Sequence, residues 1–245
     1  MVASTQGDAL GRLVVVNWAA DALGLVRALQ ELGANDLVLV GTSPAAEVEQ
    51  CLAGVRERGA LRYLRASVGD GVEVFAEFLA REVEVGAAQS VIVLPHRGRG
   101  ETDAFSRLTC TAIHRACRGQ PPRVVVAVED PEATHEFAGL GVATIFYPGF
   151  LRAALLAHAC VDLGVLRFMF ALLRGKLRVQ SWPLPAGLQG RSFRDACMTV
   201  ETDPEGRPVT VLGVFTPDAG MLVNPGPAAP LAAVTALLVL TGQDA

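Results

Sequence analysis

The stretch LVVVNWAADALGLVRALQEL, residues 13–32, gives the clearest indication of the fold class. Residues 13–16 form a β-branched apolar run bounded by polar residues, which is typical of a buried strand. Leu23, Val26, Leu29 and Leu32 then recur at helical spacing, so residues 22–32 are predicted to form an amphipathic helix. A strand that leads directly into such a helix begins a βαβ unit.

The same alternation continues to residue 147. Further apolar strands are predicted at 37–40, 61–66, 90–94, 123–128 and 142–146, with helices over 44–58, 72–85, 102–117 and 131–137. Ser43 is the predicted N-cap of the second helix, with Pro44 at its first position. Apolar strands that alternate with helices indicate a parallel sheet covered on both faces. We therefore predict an α/β fold with a Rossmann-like doubly wound parallel sheet over 12–147.

Two further segments follow this predicted domain. Residues 148–175 read as a helical crossover connector with a break at Gly164, and residues 176–245 as a small α+β C-terminal subdomain. The subdomain is predicted to have strands at 177–182, 209–215, 221–223 and 237–240 and a short helix from Ser192. The connector would expose a large apolar patch, so we expect at least a homodimer through it; the patch consists of Leu151, Leu155, Leu166, Phe168, Met169 and Phe170.

Composition excludes several classes of protein. Hydrophobic residues make up 51% of the 245, which excludes intrinsic disorder, and the net charge of −4 gives no field to attract nucleic acid. The five cysteines form no C-x-x-C pair, and their odd number fits no disulfide framework. We find neither a signal peptide nor an apolar run able to cross a bilayer, which predicts a cytoplasmic protein.

Ligands of open α/β sheets bind at the carboxyl ends of the strands, so the residues after each strand are the candidate site. They are Asn17, Trp18, Ala19 and Ala20 after the first strand, Gly41, Thr42 and Ser43 after the second, Ala66 and Ser67 after the third, and Pro95, His96 and Arg97 after the fourth. The first turn has none of the glycines that let a backbone approach a pyrophosphate, and the second strand is followed by no acidic residue to hold a ribose. A modified small-ligand cleft is one interpretation, and loops that merely cap helices are the other. Two roles remain open for Trp18: its indole stacks on a ligand, or it serves only as a packing residue between the first helix and a neighbouring subunit.

The order of several short motifs resembles the RCK (regulator of potassium conductance) or TrkA-type N- and C-terminal domains of ligand-gated potassium channels. The resemblance covers about 12–242. It rests on the Asn17-Trp18 pair and the helix after it, on SVIVL at 90–94 and RVVVAVEDP at 123–131, and on WPLP at 182–185, LQGRSF at 188–193, VLGV at 211–214 and LVNP at 222–225.

This resemblance implies a cytoplasmic gating-ring module that controls a potassium channel by a ligand-dependent conformational change. The implied partners are a second copy of the chain, an octameric ring, and a potassium channel pore or transporter subunit at the inner face of the membrane. A nucleotide and a divalent cation both remain open as ligands. Asp162 matches one carboxylate of the calcium-gated members, whereas Gln180 and Ser181 stand where acidic partners are expected.

Two alternatives remain beside the channel module: a stand-alone regulatory subunit of a potassium transporter, and an NAD-dependent oxidoreductase. No Ser-His-Asp, Cys-His or paired-carboxylate set can be placed at the strand ends, which argues against an enzyme. His114, His135 and His158 fall on three different predicted helices and lack metal-binding spacing.

Overall fold

The computed structural model describes residues 11–55, 59–96, 102–218 and 220–242. The chain divides into two compact units, one ending at Ala153 and the other beginning at Ala154. The helices formed by these residues include no candidate membrane span.

The first unit contains a six-stranded sheet of parallel strands in the order β3-β2-β1-β4-β5-β6. Its strands are β1 (Leu13–Val16), β2 (Asp36–Gly41), β3 (Ala60–Arg65), β4 (Ser90–Val93), β5 (Arg123–Ala127) and β6 (Val142–Phe146). This order confirms the predicted doubly wound Rossmann-like sheet. The connections reverse direction between β1 and β4, so the carboxyl ends of these two strands mark the switch point.

Helices cover both faces of this sheet. They are α1 (Leu23–Glu31), α2 (Ala45–Leu52), α3 (Val72–Phe78), continued by a π-helical turn at Leu79–Val83, and α4 (Thr102–Ala116). Alternate residues of a strand point to opposite faces of the sheet and belong to two buried clusters. Val14 and Val16 pack in the cluster that contains residues of α3 and α4. Leu13 and Val15 pack in the cluster that contains residues of α1 and α2.

The predicted N-cap of the second helix was wrong, and a second predicted helix is of the 3-10 type. Pro44 is itself the N-cap of α2, because the Ser43 carbonyl accepts a hydrogen bond from the Tyr63 hydroxyl at 2.8 Å and Ser43 stays outside the helix. The helix predicted over residues 131–137 is a 3-10 helix, and its N-cap is Asp130, whose side chain accepts the backbone N–H of Glu132.

Helices α5 (Pro148–Val161) and α6 (Leu163–Leu173) follow the sheet, and neither contains a buried residue. The helical break lies at Asp162, two residues before the predicted Gly164, because the Asp162 carboxylate accepts the N–H of Gly164 at 2.7 Å and caps α6. In the predicted apolar patch Phe168 and Phe170 are exposed, by 43% and 42%. Its other four members, Leu151, Leu155, Leu166 and Met169, are half-buried.

The second unit contains a four-stranded antiparallel sheet in the order β7-β10-β8-β9. Its strands are β7 (Leu177–Pro183), β8 (Val209–Thr216), β9 (Gly220–Val223) and β10 (Ala236–Gly242). Helix α7 (Phe193–Thr199) begins with a capping box formed by Ser192 and Asp195. The buried core of this unit includes Phe193, Leu231, Leu237 and Val239. The helix packed with an antiparallel sheet confirms the predicted small α+β subdomain.

The turn before β8 is organised by the buried carboxylate of Asp203. It accepts the backbone N–H groups of Glu205 and Arg207 at 3.0 and 2.8 Å, and the Arg207 Nε at 2.6 Å. Burial alone would raise the pKa of Asp203, but the hydrogen bonds and the Arg207 charge outweigh it and hold this pKa below its usual value. The carboxylate therefore stabilises the fold above its unfolded-state pKa, and this stabilisation is lost as the pH falls through the lowered pKa.

Asp203→Asn is expected to lower the thermal unfolding midpoint by several degrees at pH 7, because the amide turns a second donor towards Arg207. The difference from the unmodified chain should shrink in acid, once Asp203 itself is protonated. Calorimetric scans from neutral to acidic pH test this. Glu205→Gln is the control, since Glu205 contacts the same arginine from an exposed position. An equal loss at every pH would contradict the ionic role of Asp203.

Candidate functional site

A cavity of about 220 Å³ lies at the switch point of the first sheet. Residues after β1, β4 and β5 and the first residue of α4 surround it. Its lining residues are Asn17, Ala19, Asp21, Ala22, Leu94, Pro95, His96, Thr102 and Glu129. The cavity thus occupies the place where open α/β sheets bind ligands.

Asn17 shapes the floor of this cavity. Its backbone has φ +61°, a left-handed conformation that asparagine tolerates better than most residues. Its side-chain Nδ2 donates to the carbonyl of Leu94 at 3.0 Å and lies 3.5 Å from the Thr109 hydroxyl. Asn17 therefore ties the turn after β1 to the end of β4, at the position where a dinucleotide-binding motif has its first glycine.

Trp18 lies in the core beneath the adjoining turn and does not line the cavity. The residue is 1% exposed, and its ring meets Tyr63 edge-on with 5.9 Å between centroids. The backbone N–H of Trp18 donates to the carbonyl of Val40 at 2.9 Å, and the Trp18 carbonyl lies so close to Gly41 that a Cβ at position 41 has no room. Among the described atoms, the indole Nε1 has no hydrogen-bond partner. These contacts favour a packing role for the Trp18 indole over a role in stacking on a ligand.

The predicted site residues separate into two groups. Asn17, Ala19, Pro95 and His96 line the cavity. The residues that do not are Trp18, Ala20, Gly41, Thr42, Ser43, Ala66 and Ser67. Ser67 instead caps a 3-10 turn through the N–H of Gly69, and Ala66 donates its N–H to the carbonyl of Gly41. Arg97 lies outside the described residues.

Sequence reasoning missed five lining residues: Asp21, Ala22, Leu94, Thr102 and Glu129. Glu129 comes soon after β5, and Thr102 begins α4. The rule that strand ends carry the site could have found Glu129 had it been applied to the fifth strand as well.

The described lining of the cavity is acidic. Its described lining contains two carboxylates, Asp21 and Glu129, and no lysine or arginine. Asp21 stands in the 3-10 turn that leads into α1, so its negative charge lies where a dinucleotide's pyrophosphate would approach the helix N-terminus. The volume is also below the roughly 300–1,000 Å³ of pockets for drug-sized ligands. The cavity therefore suits a compact ligand without a diphosphate.

A larger and more open depression of about 620 Å³ adjoins the cavity. Its lining includes five acidic residues, Asp103, Glu129, Asp130, Glu132 and Glu136. Asp103 has a structural role, because its carboxylate accepts the N–H groups of Glu129 and Asp130 at 2.9 and 2.8 Å. Within the described ranges no three histidines, cysteines or acidic residues are grouped so as to hold a metal ion, and Asp162 caps α6. The metal role of Asp162 remains a prediction.

Cys110 lies on α4, and the half-buried Cys117 follows directly after this helix. Cys110 is buried, and burial raises the pKa of its thiol to about 12. Burial also raises the pKa of Cys117. Both thiols are therefore protonated near neutral pH and are poor nucleophiles.

No family model matches the chain, and no curated protein matches it. Among solved structures the chain is similar to the GsuK channel bound to NAD, with 15% identity, a TM-score of 0.43, and coverage of 96% of this chain and 36% of the channel chain. It is also similar to the NAD(P)-binding domain of an exopolyphosphatase-related protein from Archaeoglobus fulgidus, with 18% identity, a TM-score of 0.42, and coverage of 62% and 96%. The chain thus spans about a third of the channel chain's length. These similarities concern the fold.

Proposed function

We propose that this chain is a ligand-binding regulatory module of the RCK type. A compact ligand in the switch-point cavity controls how copies of the chain associate through α5 and α6. The assembled modules regulate a potassium channel from the cytoplasmic side of the membrane. A potassium transporter is the alternative regulated protein. The domain division proposed with it is an N-terminal domain over 12–147, a connector over 148–175 and a C-terminal subdomain over 176–245.

The observation that carries this proposal is the pair of helices α5 and α6. Their 14 and 11 residues are predominantly apolar, yet none is buried. Leaving so much apolar surface in water is unfavourable, at roughly 25 cal/mol per Å², and patches of this kind mark protein–protein contacts. A helical segment of this composition is best explained by contact with another copy.

The cavity supports a sensor better than an enzyme. Its residues can hydrogen-bond a small molecule, but its described lining has no cysteine or lysine, and burial raises the pKa of the Cys110 thiol on α4 to about 12. A sensor requires only that the ligand prefer one arrangement of the copies. A coupling free energy of about 1–3 kcal/mol per site, summed over several copies, shifts a two-state equilibrium substantially.

A thermal-shift screen of the unmodified chain tests the ligand class. The probes are AMP, ATP, NAD, Mg²⁺ and Ca²⁺, since binding to the native state raises the unfolding midpoint in proportion to RT ln(1 + [L]/Kd). We expect NAD to give no larger shift than AMP, because the cavity is small, Asp21 opposes a diphosphate, and the turn after β2 lacks an acidic residue for the ribose.

Two variants locate the binding. Glu129→Gln should abolish the shift produced by the active probe, because Glu129 lines the cavity. Glu132→Gln should preserve it, because Glu132 belongs to the neighbouring depression alone. Calorimetry that showed micromolar NAD binding, with AMP and ATP silent, would count against the proposed ligand class. Two or more hydrophobic spans encoded directly upstream of this chain would favour the channel over the transporter.

A further inference from the structure

Each of the two sheets ends in two edge strands, and three of these four edges have features that discourage pairing with another strand. The edge strand β3 carries the exposed charges of Arg62 and Arg65. In β6 the register against β5 shifts at Ala143, which interrupts the regular edge. The edge strand β7 carries Arg178 and ends at Pro183.

The fourth edge strand, β9, has none of these features. Gly220–Val223 contains no charge and no proline, and its register against β8 is unbroken. All three of its side chains are apolar and exposed: Met221 by 54%, Leu222 by 39% and Val223 by 60%. An uncharged, regular and apolar edge is a template for another strand.

The backbone of β9 has its alternate residues turned outward. Asn224 donates its N–H to the carbonyl of Leu212 at 2.8 Å, and Leu222 is paired with Val214, so these β9 residues face β8. In an antiparallel ladder the residues between them face the other way, so the N–H and C=O groups of Met221 and Val223 point to the open edge. Within the described residues, no backbone hydrogen bond reaches Met221 or Val223 from that side.

We propose that β9 pairs antiparallel with β9 of a second copy of this chain and joins the two C-terminal sheets into one. The occupant must be an extended strand, because a strand alone satisfies alternate N–H and C=O groups. It must also be short, because the charge of Asp218 precedes β9 and Pro225 follows it. A strand of the same length that is apolar on both faces meets these requirements, and β9 itself is one. The inference does not depend on the proposed function.

The twofold axis of this pair passes at Leu222. Met221 of one copy then lies opposite Val223 of the other, both outward-facing, which gives about four backbone hydrogen bonds. The two Leu222 residues form the non-hydrogen-bonded pair, with their Cα atoms about 4.5 Å apart, within the range of about 4.4–6.8 Å that a disulfide spans. The two Met221 residues lie diagonally, at about 7–8 Å or more.

Cysteine cross-linking tests this register in the full chain, with the exposed Cys160 and Cys197 replaced by serine. Leu222→Cys should form a disulfide-linked dimer under mild oxidation. Met221→Cys is the matched control, because it is more exposed than Leu222 but is placed too far from its mate. Val179→Cys, 46% exposed on the edge strand β7, is the second control. We expect more than about tenfold more dimer from Leu222→Cys than from either control.

Equal cross-linking of the three variants would show random collision and overturn the proposal, as would absence of the Leu222→Cys dimer. Met221→Cys dimers in excess would overturn the register. A denaturant melt of each reduced variant confirms that all three are folded before oxidation. A variant that combines Leu222→Cys with Phe168→Glu/Phe170→Glu separates the β9 contact from association through α5 and α6. The Leu222→Cys cross-link should persist in this variant. Loss of the cross-link would show that it depends on α5–α6 association and would overturn the proposal.

Discussion

Trp18→Ala is expected to lower the free energy of unfolding by about 3–5 kcal/mol, the typical cost of deleting a large buried aromatic side chain. Trp18 is 1% exposed and packs with Val15, Leu39 and Tyr63 in the core beside α1 and α2. The neighbouring structure cannot fill the space of an indole, so a cavity adds to the lost transfer free energy. Urea denaturation of the two proteins measures the difference.

The same variant separates packing from binding at Trp18. If the indole is a plug, the variant should retain its ligand-induced thermal shift wherever it remains folded, because the residue does not line the cavity. Leu32→Ala is the control, since Leu32 is an exposed apolar residue at the end of α1 and should cost little. A stable Trp18→Ala protein that had lost its response to the probe would restore the stacking interpretation.

The double substitution Phe168→Glu/Phe170→Glu is expected to dissociate the assembly and to raise its dissociation constant by more than about a hundredfold. Both rings are exposed on α6, and carboxylates there would be buried without partners in any contact made through this helix. Sedimentation velocity over a range of concentrations measures the change.

Leu32→Glu/Val74→Glu is the matched control for this experiment. It also places two carboxylates at exposed apolar positions, but at the C-cap of α1 and on α3 instead of on α6. The control should associate like the unmodified chain. If both double variants dissociate, the added negative charge weakens association wherever it is placed. If neither dissociates, α6 is not the interface.

Strands of the first sheet could be predicted closely from sequence where they are nearly continuous apolar runs: β1 is apolar throughout, and β6 contains a single polar residue, Thr144. Residues 13–16 and 142–146 were predicted with the bounds that the structure shows. Helix starts were less predictable, because they depend on contacts from elsewhere in the chain. Ser43 reads as an N-cap until Tyr63 on β3 bonds its carbonyl. The break between α5 and α6, by contrast, depends on a local contact. It lies at Asp162, whose carboxylate caps α6, and not at Gly164, where the sequence suggested it.

The candidate site was half predictable. The strand-end rule identified Asn17, Ala19, Pro95 and His96, because parallel strands end at one edge. It could not show that the indole of Trp18 turns into the core, since sequence does not reveal which way a side chain leaves a turn. The order of the second sheet was likewise out of reach, because β10 inserts between β7 and β8 from the far end of the chain.

Light scattering on the unmodified chain at micromolar concentration, with and without AMP as the probe ligand, tests the proposed regulatory assembly. We expect a dimer or larger assembly that depends on α5 and α6, whose exposed apolar residues need a partner. We also expect that a probe which stabilises the fold changes the concentration at which the copies associate. A monomer at every concentration, unchanged by any probe that binds, would contradict the proposed function.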